Sequence, residues 1–99
     1  MPNSANGYLS PWTHSPQIRH SSLMKTTVLE ELGNRIREKR KARGWTQEDL
    51  ADNADIDRSY IGGVERGQRN LTFKVLCQIC VALRCDVAAL TKGIPDLPR

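Results

Sequence analysis

Three cysteines, Cys77, Cys80 and Cys85, fall within nine positions of a 99-residue chain. Clustered thiols raise metal or redox chemistry, because the thiolate is both a soft ligand and a nucleophile. The spacing does not fit a zinc knuckle: no histidine lies nearby and no second cysteine pair completes a set. On a helix, Cys80 shares the apolar side with Val75, Leu76, Ile79 and Leu83, and Cys85 lies at the following turn. Both read as small core residues, with Cys77 pointing more outward. The expectation is therefore no metal and no cofactor. An odd, crowded set is not a disulfide framework either, which points to free thiols in a reducing, cytoplasmic setting. Catalysis has still less support. No Ser/His/Asp set, close carboxylate pair or Gly-rich phosphate loop can be assembled, and His14 and His20 both lie near the N-terminus. The chain is not expected to be an enzyme.

A second concentration of chemistry is electrostatic. Arg35, Arg37, Lys39, Arg40, Lys41 and Arg43 crowd into nine positions against the single acid Glu38. Such a run forms a solvated face that follows phosphates. The whole chain leans the same way, with 15 Lys and Arg against 11 Asp and Glu. A small basic protein suggests a polyanionic partner, although a net charge of +4 is modest. No apolar run approaches the roughly 18 to 20 residues of a membrane span, so no membrane partner is expected. The N-terminus has no apolar core of a signal peptide.

These residues need elements to position them, and the pattern is helical almost throughout. Leu29, Leu32 and Ile36 share one face of a first helix that runs to about Arg43 and stops at Gly44. Thr46 opens a second helix, with Asp49 three residues on in a near capping-box arrangement and Leu50, Ala51 and Ala54 on its apolar side. Asp57 caps a third, through Tyr60, Ile61 and Val64 to Gly67. Thr72 caps a fourth, and Asp86 a short fifth from Val87 to about Thr91, closed by Gly93 and Pro95. No window alternates with period two. The fold class is all-α with five helices. Residues 1–27, rich in Ser and Pro and free of acids, read as a disordered N-terminal tail, within which Met24 is a second candidate start. Residues 28–95 read as the domain and 96–99 as a C-terminal tail.

The second and third helices are separated by a sharp turn at helix-turn-helix spacing. The stretch LGNRIREKRKARGWTQEDLADNADIDRSYIGGVERGQRNLTFKVL resembles the lambda-repressor-like helix-turn-helix domain of the XRE type. Its part DRSYIGGVERGQRNLT further resembles the controller proteins of restriction–modification systems. The resemblance implies a transcriptional regulator that binds a double-stranded DNA operator as a homodimer, with no small-molecule ligand. It implies base contacts from Arg58, Ser59, Gly62 and Arg69. It implies phosphate contacts from Thr46, Gln47, Tyr60, Asn70 and Lys41, with the helix-end amides at Thr46 and Gln47 contributing. It also implies a buried structural ion pair between Arg40 and Glu65.

Departures from the family pattern include Lys39, where many relatives carry leucine, and two features of the second and third helices. Asp55 occupies a turn position where glycine is common, and aspartate tolerates the left-handed region better than most residues. Gly62 and Gly63 stand in succession inside the third helix, each costing about 1 kcal/mol relative to alanine. Their expected compensation is a close approach to DNA, with specificity leaning on Arg58 and Arg69. The short last helix leaves Val87, Leu90 and, beyond it, Ile94 outside the core of Leu32, Ile36, Leu50, Ile61, Leu76, Ile79 and Leu83. These three are the expected dimer interface, with the recognition helices about 34 Å apart. An autoregulating antitoxin remains an alternative regulator. From a different class, the alternative is a protein-interaction module that has lost DNA binding.

Overall fold

The computed structural model describes residues 27–97. Among these, five helices and no strand are formed: α1 Val28–Ala42, α2 Gln47–Ala54, α3 Arg58–Glu65, α4 Phe73–Leu83 and α5 Val87–Thr91. Residues 1–26, the bulk of the expected tail, and residues 98–99 lie outside the described residues.

Each helix starts where a short polar side chain satisfies backbone N–H groups that have no partner within the helix. The hydroxyls of Thr46 and Thr72 and the carboxylates of Asp57 and Asp86 do this for α2 to α5. Thr27 does it for α1: the Glu30 N–H donates to its hydroxyl at 3.1 Å, and its own N–H donates to Glu30 Oε1 at 3.0 Å. Thr27, assigned from sequence to the tail, is therefore the cap of the first helix. Asp55 takes the left-handed conformation at the end of α2, with φ 57° and ψ 48°. Its N–H closes the helix on Ala51 and Asp52 carbonyls, which turns the chain sharply into α3.

Helix α1 packs on α3 and α5, α2 on α3 and α4, and α4 on α5. The centre is made by Ile36, Leu50, Ile61, Ile79 and Leu90, all fully buried. Leu90 corrects the sequence reading: it is not part of an exposed patch but a core side chain of the monomer. The cause is the α1–α5 contact. Arg35 Nη1 donates to the Leu90 carbonyl at 3.3 Å and draws α5 onto α1. Val87 and Ile94 are half-buried against the same core.

Gly33 lets α1 and α3 meet. A β-carbon there would press on the Val64 carbonyl and lie 2.6 Å from that of Glu65, so only a hydrogen fits. Cys80 is buried, whereas Cys77 and Cys85 are half-buried. Burial, followed by the neighbouring Cys85 thiol, pushes the Cys80 thiol up to about 12. Between the ordinary thiol value and about 12, the unfolded chain releases this proton and the folded chain holds it. The contribution of Cys80 to stability is thus full at neutral pH and falls as pH rises through that window. Alkylation at neutral pH followed by peptide mapping should modify Cys77 and Cys85 before Cys80, which it should reach only on unfolding.

Candidate nucleic-acid interface

The start of α3 carries the exposed pair Arg58 and Ser59. Asp57 holds this end in place: its Oδ2 accepts from the Ser59 N–H at 3.0 Å, from the Tyr60 N–H at 3.2 Å and from the Ser59 hydroxyl. The Ser59 hydroxyl and the backbone N–H groups, with Arg58 nearby, keep the Asp57 carboxyl below the usual carboxylate range. It is therefore an anion at neutral pH, at the positive end of a helix.

Gly62 and Gly63 follow on the same helix, and both are buried. Side chains from later and earlier in the chain adjoin them: the Arg66 guanidinium and Gln47 at Gly62, the Arg69 stem at Gly63. A β-carbon at Gly62 would lie 3.2 Å from Arg66 Nη1 and 3.4 Å from Gln47 Oε1. One at Gly63 would lie 2.9 Å from Arg69 Cγ. Arg66 and Gln47, rather than open space, thus adjoin Gly62, where the sequence leads one to expect a base contact. Arg66 was not singled out in the sequence. The signal is its spacing: a long side chain four residues on points back over position 62. Its Nε donates to Gln68 Oε1 at 3.0 Å, and the residue remains exposed.

Beneath this surface lies Glu65, with a fully buried side chain. It accepts from Arg40 Nε at 2.7 Å and Arg40 Nη2 at 2.9 Å, a two-pronged pair. Gln47 Nε2 donates to Glu65 Oε1 at 3.0 Å, and Arg37 Nε stands 3.7 Å from the same oxygen. Arg37 Nη2 donates to the Glu65 backbone carbonyl at 3.2 Å. Arg40 also donates from Nη1 to the Trp45 carbonyl at 2.8 Å. The hydrogen bonds to Glu65 hold the Arg40 pKa above its ordinary value. A single carboxylate thus joins α1, α2 and α3. Arg37 as a second cationic neighbour is not evident from the sequence, since the fold brings it 28 residues back onto the end of α3.

At the start of α2, Thr46 is exposed and Gln47 half-buried. The Thr46 N–H already donates to Asp49 Oδ2 at 2.9 Å. The phosphate contact expected of that amide is therefore left to its hydroxyl and to Gln47. Tyr60 is half-buried, with Arg69 Cζ 5.2 Å from its ring centroid. Lys41, Arg69 and Asn70 are exposed. Among the described residues, no group of three or more His, Cys, Asp or Glu side chains converges as a metal site. No described helix is long and apolar enough to cross a membrane.

The α2–turn–α3 unit, with its capped second helix, is the geometry for which a helix-turn-helix model matches residues 36–90. The chain belongs to the helix-turn-helix family. Its helix-turn-helix unit is similar to that of control protein C.SmaI of Serratia marcescens, at 36% identity over 64% of this chain and 75% of that one. The competence pilus inhibition repressor of Acinetobacter baylyi is 32% identical, and there the match spans 54% of that protein. Among solved structures, the restriction-modification controller protein C.AhdI of Aeromonas hydrophila superposes with TM-score 0.62 at 45% identity. That match covers 63% of this chain and 94% of C.AhdI. The controller C.Esp1396I, solved as a tetramer on its natural 35 base-pair operator, superposes with TM-score 0.63 at 37% identity. It covers 68% of this chain and 88% of that one. Thus the helix-turn-helix fold and the relatives agree on a regulator architecture, as the XRE resemblance implied.

Proposed function

We propose that this chain is a transcriptional regulator that binds operator DNA sequence-specifically, with α3 as its recognition helix. The observation that carries this is the outer face of α3. Arg58 and Ser59 stand exposed on a helix whose far end is locked by Glu65 to α1 and α2. No apolar side chain crowds that end, so it is free to enter a major groove. Arg58 reads a guanine through O6 and N7, and Ser59 and Arg69 complete the base contacts. Thr46, Gln47, Tyr60, Asn70 and Lys41 hold phosphates and set the register.

The test uses a DNA fragment selected by the wild-type protein from a random-sequence pool. Arg58→Ala is expected to weaken binding to that fragment by about 1 to 3 kcal/mol and to relax selection at one guanine per half-site. Equal losses on selected and random DNA would overturn the base-reading role. Lys41→Ala should instead weaken all sequences alike and lower the salt slope by roughly one.

The narrower form of this reading is a controller of a restriction–modification operon. The identities of 36% to C.SmaI and 45% to C.AhdI support it, beside those to other regulators such as the competence pilus inhibition repressor. A homodimer is part of either form, since two half-sites multiply the discrimination of one small module. Val87 and Ile94 stay half-exposed beside the buried Leu90, and α4 offers a second copy two further apolar side chains. Phe73 is 69% exposed and Val81 78% exposed, eight residues apart on one face of α4 with half-buried Cys77 between them. Val81→Glu should keep the helical signal and thermal midpoint but shift sedimentation from dimer to monomer. An unchanged dimer would remove α4 from the interface.

A further inference from the structure

We propose that Gly63 is a seat for Arg69, so that an arginine from the loop after α3 takes the place of a base-reading side chain on the helix itself. The inference rests on the DNA-binding reading above and names a positioning residue within it.

Three observations converge. A β-carbon at position 63 would lie 2.9 Å from Arg69 Cγ, 3.2 Å from Nε and 3.6 Å from Cδ, so the arginine stem lies flat across the helix backbone where a side chain would stand. The guanidinium carbon then sits 5.2 Å from the centre of the Tyr60 ring, one turn back along α3. Finally, among the described residues Arg69 forms no salt bridge and donates no hydrogen bond, although it is exposed. Its stem is held by Gly63 and its guanidinium by Tyr60, while its N–H donors are unspent.

That is the arrangement a bidentate contact needs. A free arginine samples many rotamers and loses them on binding, whereas a seated one has already lost them. The partner is a base edge offering two acceptors, which in the major groove is guanine. A glycine is required for this, since any β-carbon at position 63 pushes the stem at Cγ, close to its root, and swings the guanidinium off Tyr60.

The experiment is a double-mutant cycle with Gly63→Ala, Arg69→Ala and both together in the full chain, measured on the fragment selected from the random pool. In parallel, the Arg69 side-chain protons are followed by NMR without DNA. Gly63→Ala should keep the helical content and thermal midpoint, because alanine is the better helix former. It should erase the ring-current shift of the Arg69 protons and weaken selected-fragment binding roughly tenfold. The double variant should then bind no more weakly than Arg69→Ala alone. Retained ring-current shifts or wild-type affinity in Gly63→Ala would overturn the proposal. So would losses that multiply in the double variant, for then the new methyl group meets DNA directly. If Arg69→Ala binds like wild type, the seat has no base-reading purpose and the proposal falls, while DNA binding itself is judged separately by Arg58→Ala.

Discussion

Glu65→Ala is expected to destabilise the fold by about 3 to 5 kcal/mol, the effect of stranding a buried charge without its partner. Arg40 would stay in place with only 7% of its surface exposed and lose both prongs of its contact, at 2.7 and 2.9 Å. In the same step Gln47 loses its hydrogen-bond acceptor and Arg37 its ion-pair partner. For a domain of this size, whose total stability is about 5 to 15 kcal/mol, that removes a large part of the folded population. Chemical denaturation read by circular dichroism measures it. A loss below about 0.5 kcal/mol would place the pair among screened surface ion pairs instead. Replacing Arg40 and Glu65 together by apolar residues of similar volume should cost much less than either single change.

Leu90→Glu should behave quite differently from a mutation at an interface. The side chain is fully buried beneath α1, so the substitution removes core packing and puts a carboxylate into an apolar core. Leu90→Ala alone should cost about 2 to 5 kcal/mol. The glutamate adds the desolvation of a charge and should leave no cooperative thermal transition at neutral pH. Recovery of a folded, monomeric Leu90→Glu protein by sedimentation would return this residue to the dimer surface.

The contrast between these two positions shows what sequence patterns carry. Caps are local, so Thr46, Asp57, Thr72 and Asp86 announce the starts of four helices within three residues of themselves. Thr27 was missed because the segment before it has no apolar period to bound. A five-residue helix such as α5 has too few turns to define a buried face. Whether Leu90 faces inward is settled by α1, some 50 residues earlier in the chain. Gly33 is likewise silent in sequence: its lack of a side chain matters only because the end of α3 crosses there. At the interface, the types at the start of α3 were legible, and the roles of Gly62 and Gly63 were not. They pointed to a bare helix face, whereas the side chains of Arg66 and Arg69, returning from later in the chain, cover it.

The cap of α3 has one more consequence, and it concerns the hydroxyl proton of Ser59. Asp57 is ionised and only accepts, so the bond between the two side chains uses that proton. Ser59 is exposed, and toward solvent it presents lone pairs alone. Serine is ordinarily ambivalent at a base edge, giving or taking a hydrogen bond as the base requires. In the DNA-binding reading proposed above, the cap favours the accepting role. A base edge that meets Ser59 in that arrangement supplies the hydrogen, as the amino groups of adenine and cytosine do in the major groove. Beside an arginine suited to guanine, that reading then sets a neighbour of opposite hydrogen-bonding sense.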